Sequence, residues 1–288
     1  MTLYNLKEAL CDAEAGGYAI GAFNLTGEDM LFGILDAAVR ERSPVILSIA
    51  EAHLPYFHWA SFMKMVVAEA EAASVPVVIH LDHATRMETI YKAFQLGFTS
   101  VMYDGSALDI GDNISNTRHV IGIAHALGIS VEAELGHIGG ATYEASALEN
   151  GRAHLTDPAL VPEFVEKTGV DALAISFGTA HGYYVQRPQL DFHLLEIIDK
   201  SVDTPLVLHG GTGLSNEDFL ESIRLGVRKI NYGTDIFGTS VAAARKKLAA
   251  EPELLMYHEV CQEIRNAVCA RAAQYMRLWG SSGKSWVV

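Results

Sequence analysis

The stretch PVVIHLDHATRMETIYKAFQLGFTSVMYDG, residues 76–105, decides the fold. It opens on a β-rich apolar run, PVVIHLD (76–82), continues into METIYKAFQLG (87–97), and closes on a second β-rich run, SVMYDG (100–105). In the middle segment the apolar residues recur at spacings of three and four and a glycine ends the run, which is typical of an amphipathic helix. A strand, a helix and a second strand in this order predict two parallel strands joined by a helix.

The same order recurs along the whole chain. Eight candidate strands are found: 18–24, 44–50, 76–82, 100–105, 130–136, 172–178, 205–211 and 229–235. Amphipathic helical patterns between them include 28–42, 61–73, 87–97 and 216–226. Most strands are continuous Val/Ile/Leu/Ala runs, as expected when both faces are buried. Eight such units predict a closed (β/α)₈ TIM barrel of the α/β class. A doubly wound sheet is disfavoured because GAFNLTG, after the first strand, is not a dinucleotide-binding fingerprint.

We expect residues 1–288 to form a single barrel domain, since 288 residues is an ordinary length for this fold. The connection after the fifth strand, 136–158, is much longer than a usual turn and predicts a flap over the site. The segment after residue 250 is predicted to be a helical tail.

The composition excludes some classes of function. The formal net charge of -14 opposes nucleic-acid binding. No run of about 18 apolar residues predicts a membrane span, and no signal peptide is recognised. Three cysteines without disulfide or metal spacing suit a reducing compartment, so we expect a cytoplasmic protein.

Polar residues gather where the predicted strands end, which in TIM barrels is the catalytic face. His83, His181 and His209 follow three different strands and are predicted to meet. Any one of the 12 histidines alone would be interpreted as an ordinary loop or core residue. Three histidines with an open fourth position are typical of catalytic zinc, so these three are our predicted ligands. His80, in the middle of the third strand, is interpreted as a core residue or as a residue that supports a metal ligand from behind.

Strict alternation along the third strand would turn Asp82 and His83 to opposite faces. We therefore expect the backbone to leave regular strand geometry there, so that both side chains serve the mouth of the barrel. Seven further histidines are interpreted as surface or helix residues: His53, His58, His119, His125, His154, His193 and His258.

Glycine-rich turns follow the sixth, seventh and eighth strands: FGTAHG (177–182), HGGTG (209–213) and NYGTD (231–235). Glycine lets backbone N–H groups approach an anion, and barrels commonly bind phosphate after strands seven and eight. Together with the Thr234 hydroxyl, these turns predict a phosphate site. Local backbone dipoles would hold the anion there although the protein as a whole is acidic.

At these residues the sequence resembles the class II, metal-dependent fructose-bisphosphate and tagatose-bisphosphate aldolases. The resemblance extends over nearly the whole chain. The matching blocks are GGYAIGAFN (16–24), SPVILS (43–48), HLDHA (80–84), MYDGS (102–106), EAELGHIGG (132–140), LTDP (155–158), ISFGTAHGYY (175–184), LVLHGGTGL (206–214), KINYGTD (229–235) and GSSGK (280–284). Several blocks in the same order are far more specific than one short motif.

The resemblance implies reversible aldol cleavage of a ketose phosphate to dihydroxyacetone phosphate and an aldehyde, through a zinc-stabilised enediolate. Asp82 would move the C4 hydroxyl proton, Asn231 would hydrogen-bond the enediolate, and Asn24 would orient the substrate. Glu134 would serve as an alternative metal ligand. The implied phosphate-binding residues are Gly182, Gly210, Gly211, Thr212, Gly233 and Thr234. The resemblance also implies one Zn²⁺ per subunit, a monovalent cation (Na⁺ or K⁺) on nearby carbonyls, and a homodimer or homotetramer.

The chain departs from the family pattern in three places. Where many members carry a flap glutamate, Ala141 and Thr142 stand here, and Glu144 is our candidate for its proton-transfer role, with Tyr143 as the alternative. Val185 replaces a lysine that meets the phosphate, and 251–260 lacks the Asp-Pro-Arg stretch whose arginine grips a far phosphate. A substrate with one phosphate or with a longer chain therefore fits as well as a bisphosphate.

Two other functions remain open on the residues alone. A metal-dependent hydrolase on the same barrel could use Asp82 as the base for water. A non-catalytic subunit that binds a sugar phosphate would be expected to lack a metal ligand or Asp82, and the sequence has them all.

Overall fold

The computed structural model describes residues 3–139, 155–184, 186–253 and 256–286. Eight parallel strands form a closed barrel in the order β1 to β8, with helices between them, which confirms the predicted (β/α)₈ fold. The strands are β1 Ile20–Asn24, β2 Val45–Ala50, β3 Val77–Ala84, β4 Ser100–Tyr103, β5 Ser130–Leu135, β6 Ala172–Ile175, β7 Leu206–Leu208 and β8 Val227–Tyr232. The helices are α1 Leu6–Gly16, α2 Glu28–Glu41, α3 Trp59–Ala72, α4 Met87–Gln95, α5 Ile110–Ala126, α6 Val161–Thr168, α7 Phe192–Asp199, α8 Asn216–Arg224, α9 Thr234–Ala250 and α10 Tyr257–Leu278. A 3₁₀ helix, Glu51–Tyr56, follows β2.

Several strands are shorter than predicted at their carboxyl ends. β6 stops at Ile175 and β7 at Leu208, where predictions ran to 178 and 211. The glycines beyond them leave strand geometry: φ is +117° at Gly178 and +69° at Gly210. These residues form loops at the mouth of the barrel rather than parts of the β-sheet.

The barrel interior divides into an apolar floor and a polar upper part. Ile20, Ile46, Val78 and Val207 point inward at the floor, and helix α1 closes it from below with apolar residues such as Leu10. Two residues further along several strands the inward positions become polar. The buried polar side chains at these positions are Asn24, Ser48, His80, Asp82, Glu132, Glu134, His209, Lys229 and Asn231. The buried polar side chains therefore lie above a packed apolar layer.

Helix α10 lies in the predicted helical tail and packs against α2 and α9. Just after it, Trp279 is buried and stacks on Phe23 of β1 at a centroid distance of 5.7 Å. This helix thus covers the outer surface of the barrel beside β1.

Among the described residues, no helix is long and apolar enough to cross a membrane. The central part of the predicted flap, 140–154, lies outside the described residues.

Candidate metal centre and catalytic pocket

The end of β3 departs from strand geometry where the sequence required it. His83 has a φ of +47°, and the β3–β4 register shifts between Leu81 and Ala84. A positive φ is uncommon for a residue other than glycine and indicates local strain. Because of this irregularity, Asp82 and His83 both face the mouth of the barrel.

The three predicted ligand histidines meet at that mouth. His83 Nε2 lies 2.7 Å from His209 Nδ1 and 3.2 Å from His181 Nε2. All three ligand atoms lie within 4.8 Å of one another. This separation suits three nitrogens around one ion, since Zn–N bonds are about 2.0–2.1 Å. The geometry therefore provides a three-histidine metal site.

Two of the histidines are held from behind by carboxylates. Asp104 Oδ2 lies 2.9 Å from His83 Nδ1, and Glu132 Oε1 lies 2.9 Å from His209 Nε2. A carboxylate accepts from the ring nitrogen that it faces, which leaves the other nitrogen a free lone pair toward the metal site. The outer nitrogen of the third histidine, His181 Nδ1, is buried without a hydrogen-bond partner among the described residues. The donor set fits a divalent ion with neutral imidazole ligands.

The carboxylates around the three histidines favour a positive charge on His83. Burial lowers the pKa of His83, but Asp82 and Asp104 outweigh burial and raise it to about 10. Burial and the charge on His83 lower the pKa values of His181 and His209. Like charges at this spacing repel each other, so the cluster favours a positive charge on one ring and disfavours it on the other two.

Asp82 is held as an ion by its neighbours. Burial raises its pKa, but the positive charge around His83 and His209 keeps the pKa of Asp82 well below its ordinary value. Its two oxygens each accept an amide hydrogen bond of 2.9 Å, one from Asn24 Nδ2 and one from Asn231 Nδ2. Its Oδ1 lies 3.9 Å from His83 Nε2. A buried, ionised carboxylate thus stands beside the metal site.

Glu134, the predicted alternative ligand, lies just outside this set. Its Oε2 is 3.9 Å from His83 Nδ1, and Oε1 accepts from the backbone N–H of Ile138 at 3.0 Å. Burial and repulsion by Asp104 raise its pKa to about 8. With His83 and Asp104 it forms a second group of possible metal ligands.

A cavity of about 410 Å³ opens over these residues. The predicted phosphate-binding residues line one side of it: Gly182, Gly210, Gly211, Thr212, Gly233 and Thr234. Helix α9 begins here at Thr234 and has no side-chain N-cap. Free N–H groups at a helix start, together with its dipole, favour an anion.

The opposite side of the cavity holds residues that were not predicted to belong to the site. Glu51, His53 and Arg86 line it, and these follow β2 and β3. Glu51 accepts hydrogen bonds from the Thr85 backbone at 3.0 Å and from Arg86 Nε at 3.1 Å. His53 was interpreted as a surface or helix residue; it lies in the 3₁₀ helix but is buried, with its ring against Phe237.

A buried pair beneath the site was also missed. Lys229 and Glu132 are fully buried inside the barrel, with Nζ 2.8 Å from Oε2. Their positions carried a signal, because Lys229 precedes Asn231 by two residues and Glu132 precedes Glu134 by two. Residues two apart share a face of a strand, so both pairs point inward together.

Six residues named in the sequence analysis lie outside the described residues: Ala141, Thr142, Tyr143, Glu144, His154 and Val185.

Comparisons with known proteins agree on one family. The family model described as fructose-bisphosphate aldolase class-II matches residues 4–284. The fructose-bisphosphate aldolase of Geobacillus stearothermophilus is 39% identical over 288 residues, covering 99% of each chain. YdjI of Escherichia coli K12, called uncharacterized, is 40% identical over 274 residues, covering 95% of this chain and 96% of that protein. The X-ray crystal structure of the YdjI aldolase from Escherichia coli K12 superposes on this chain with a TM-score of 0.88 at 36% identity, covering 98% of this chain and 99% of that one.

Proposed function

The chain belongs to the class II fructose-bisphosphate aldolase family, and from this we propose that it reversibly cleaves a ketose phosphate to dihydroxyacetone phosphate and an aldehyde. One observation carries the proposal: an ionised carboxylate, Asp82, stands beside three converging imidazoles, and glycine-rich loops line the same cavity. These are the groups needed to polarise a carbonyl, to move a proton and to hold a phosphate.

His83, His181 and His209 would hold the metal, which we take to be zinc because three histidines with an open position are typical of catalytic zinc. When bound, the ion supplies Lewis-acid polarisation of the substrate carbonyl. Asp104 and Glu132 keep the rings of His83 and His209 oriented for this task.

We assign the proton transfer of the cleavage step to Asp82. During cleavage its carboxylate accepts the C4 hydroxyl proton as the C3–C4 bond breaks, and during condensation it returns that proton. The pair of electrons from the broken bond remains on the dihydroxyacetone phosphate half. Asn24 and Asn231 hold the carboxylate through its two oxygens, and Asn231 also faces the reacting atoms.

The phosphate of the dihydroxyacetone half would lie against the glycine-rich loops and the start of α9. Backbone N–H groups and the hydroxyls of Thr212 and Thr234 are the expected donors. This local field lets a protein with a net charge of -14 bind a dianion.

Several finer expectations stay predictions. They are the proton-transfer role of Glu144 on the flap, the ligand role of Glu134, a monovalent cation near the phosphate, a homodimeric or homotetrameric assembly, and a cytoplasmic location.

The decisive experiment incubates the zinc-loaded protein with dihydroxyacetone phosphate and a panel of aldehydes, followed by product identification. The panel should include aldehydes with and without an acidic group at the far end. The acidic aldehydes are included because Arg86 is the single lysine or arginine among the described residues that line the cavity, and it would pair with such a group. Formation of a ketose 1-phosphate supports the proposal. If the protein catalysed ester hydrolysis, but neither aldol condensation nor exchange of the C3 hydrogen of dihydroxyacetone phosphate, the hydrolase function would replace the proposed aldolase function.

A further inference from the structure

We propose that Lys229 and Glu132 form a positioning pair beneath the site, which fixes the orientation of the Asn231 amide and of the His209 ring. Neither residue touches the cavity, and nothing in the function proposed above requires a lysine. It rests on the proposed function only where it predicts that moving Asn231 lowers the catalytic activity.

The pair lies inside the barrel next to its apolar floor: in the strand register Lys229 pairs with Ile20 of β1, and Glu132 pairs with Ala172 of β6. Both side chains are fully buried, and burying two charges is unfavourable unless they are paired and hydrogen-bonded. An apolar pair at the same height would fill the barrel without that penalty, as Ile20 and Val78 do at its floor. The charges are therefore expected to serve the groups that they contact.

Lys229 determines which way the Asn231 amide faces. Its ammonium, which can only donate, lies 2.5 Å from Asn231 Oδ1. On the other side, the Asp82 carboxylate, which can only accept, lies 2.9 Å from Asn231 Nδ2. Turning the amide over would place NH₂ against NH₃⁺ and oxygen against carboxylate. Lys229 thus makes Asn231 a donor toward Asp82 and toward the reacting atoms.

Glu132 determines which nitrogen of His209 faces the metal site. One of its oxygens contacts Lys229, and the other lies 2.9 Å from His209 Nε2. An acceptor at Nε2 places the ring proton there and directs the lone pair of Nδ1 toward His83 and His181. A chain of contacts therefore runs from Asn231 through Lys229 and Glu132 to His209.

The test must separate positioning from simple charge balance, since Lys229→Met alone would leave Glu132 buried and unpaired. The double variant Lys229→Met/Glu132→Gln removes both charges and keeps an amide oxygen that can accept from His209. We expect it to bind zinc within about 3-fold of the wild type, as measured with a competing chelator. We expect its kcat for cleavage to fall about 10- to 100-fold with little change in KM, the usual range for residues behind a ligand.

Arg228→Met is the matched control. Arg228 is the neighbouring residue on β8, faces outward and pairs with Glu14, so its loss affects stability without reaching the site. If the double variant turned over within about 3-fold of the wild type, the pair would be only a charge balance and the proposal would fail.

A double-mutant cycle asks whether Lys229 acts through Asn231. In an Asn231→Ala background that also carries Glu132→Gln, adding Lys229→Met should lower kcat by less than about 3-fold, because the amide that it orients is gone. If adding Lys229→Met lowered kcat as much in this background as it does in Glu132→Gln with Asn231 intact, Lys229 would act by another route.

A third arm needs no substrate. Glu132→Leu removes the acceptor behind His209 and should weaken zinc binding about 10- to 100-fold. Unchanged zinc affinity would refute the His209 half of the inference. This arm stands even if the wild type shows no aldol chemistry, so failure of the inference and failure of the proposed function are distinguishable.

Discussion

Asp82 shows how neighbouring side chains prepare one residue for its chemistry. It is buried, yet two amides and a nearby cationic cluster keep it ionised, with its pKa well below the ordinary value. The base that we propose here would therefore depend on its position next to the proton rather than on a matched pKa.

Asp82→Ala tests this role directly. We expect the variant to retain zinc, because the three histidines remain, and to lose cleavage activity by about 10²-fold or more, as is typical of general acid–base residues. Steady-state kinetics and zinc content by elemental analysis measure both quantities. Asp203→Ala, an exposed loop substitution, is the control. Near-normal turnover in Asp82→Ala would remove this residue from the mechanism.

Strand ends and the loops after them determine the shape of the pocket. The β3 irregularity brings His83 beside Asp82, the β7 loop carries His209 into the glycine-rich turn, and Glu51 joins the segment after β2 to the start of α4. The irregular end of β3 and these loops, rather than the regular parts of the strands, carry the backbone conformations that repeating structure would not allow.

Gly210→Ala should disturb the phosphate side of the pocket. Gly210 has a φ of +69°, and an added Cβ would lie 2.4 Å from the Ala180 carbonyl oxygen. The loops after β6 and β7 must separate to accommodate it. We expect the KM for dihydroxyacetone phosphate to rise about 10-fold, equivalent to roughly 1.4 kcal/mol of lost binding. Gly122→Ala within α5, where a Cβ meets nothing, should leave KM unchanged and is the control. An unaltered KM in Gly210→Ala would separate this turn from phosphate binding.

Glu51→Gln should destabilise the protein in a pH-dependent way. Burial raises the pKa of Glu51, but hydrogen bonds from Thr89, Thr85 and Arg86 outweigh burial and lower it below 4.5. A carboxyl with a lowered folded-state pKa stabilises fully above its unfolded pKa, and this contribution disappears as pH falls through the folded pKa. The variant should therefore lose about 1–3 kcal/mol of unfolding free energy at pH 7.

Urea unfolding at several pH values measures this difference, which should narrow below about pH 4 as the wild-type carboxyl becomes neutral. Glu88→Gln, an exposed position in the first turn of α4, should change stability little at any pH. A difference between Glu51→Gln and wild type that stayed constant down to pH 3 would contradict the assigned pKa direction.

The closed barrel joins groups that are far apart along the chain. β3 lies across the barrel from β7, and β2 from β6, because eight strands close in sequence order. An ion held by His83, His181 and His209 therefore links loops from different sides of the barrel and should stabilise the whole fold.

We expect the zinc-loaded protein to melt at a higher temperature than the metal-free protein. At a zinc concentration 100 times the dissociation constant, binding stabilises by about 2.7 kcal/mol, which corresponds to roughly 4–5 °C for a protein of this size. Calorimetry with and without a chelator measures the shift. His209→Ala should show no zinc-dependent shift and no bound zinc, whereas His258→Ala, an exposed position on α10, should behave as the wild type does. Stoichiometric zinc in His209→Ala would refute the ligand assignment.

The sequence by itself determined the barrel and the location of its site. Apolar runs and amphipathic helices are local patterns, and parallel strands bring their carboxyl ends to one face, so His83, His181 and His209 could be expected to meet. Only the tertiary structure decided which inward residues lie at the same height. The register of β5, β7 and β8 places Glu132 against both His209 and Lys229. Strand register arises from the closure and stagger of the whole barrel, which no local stretch of sequence specifies.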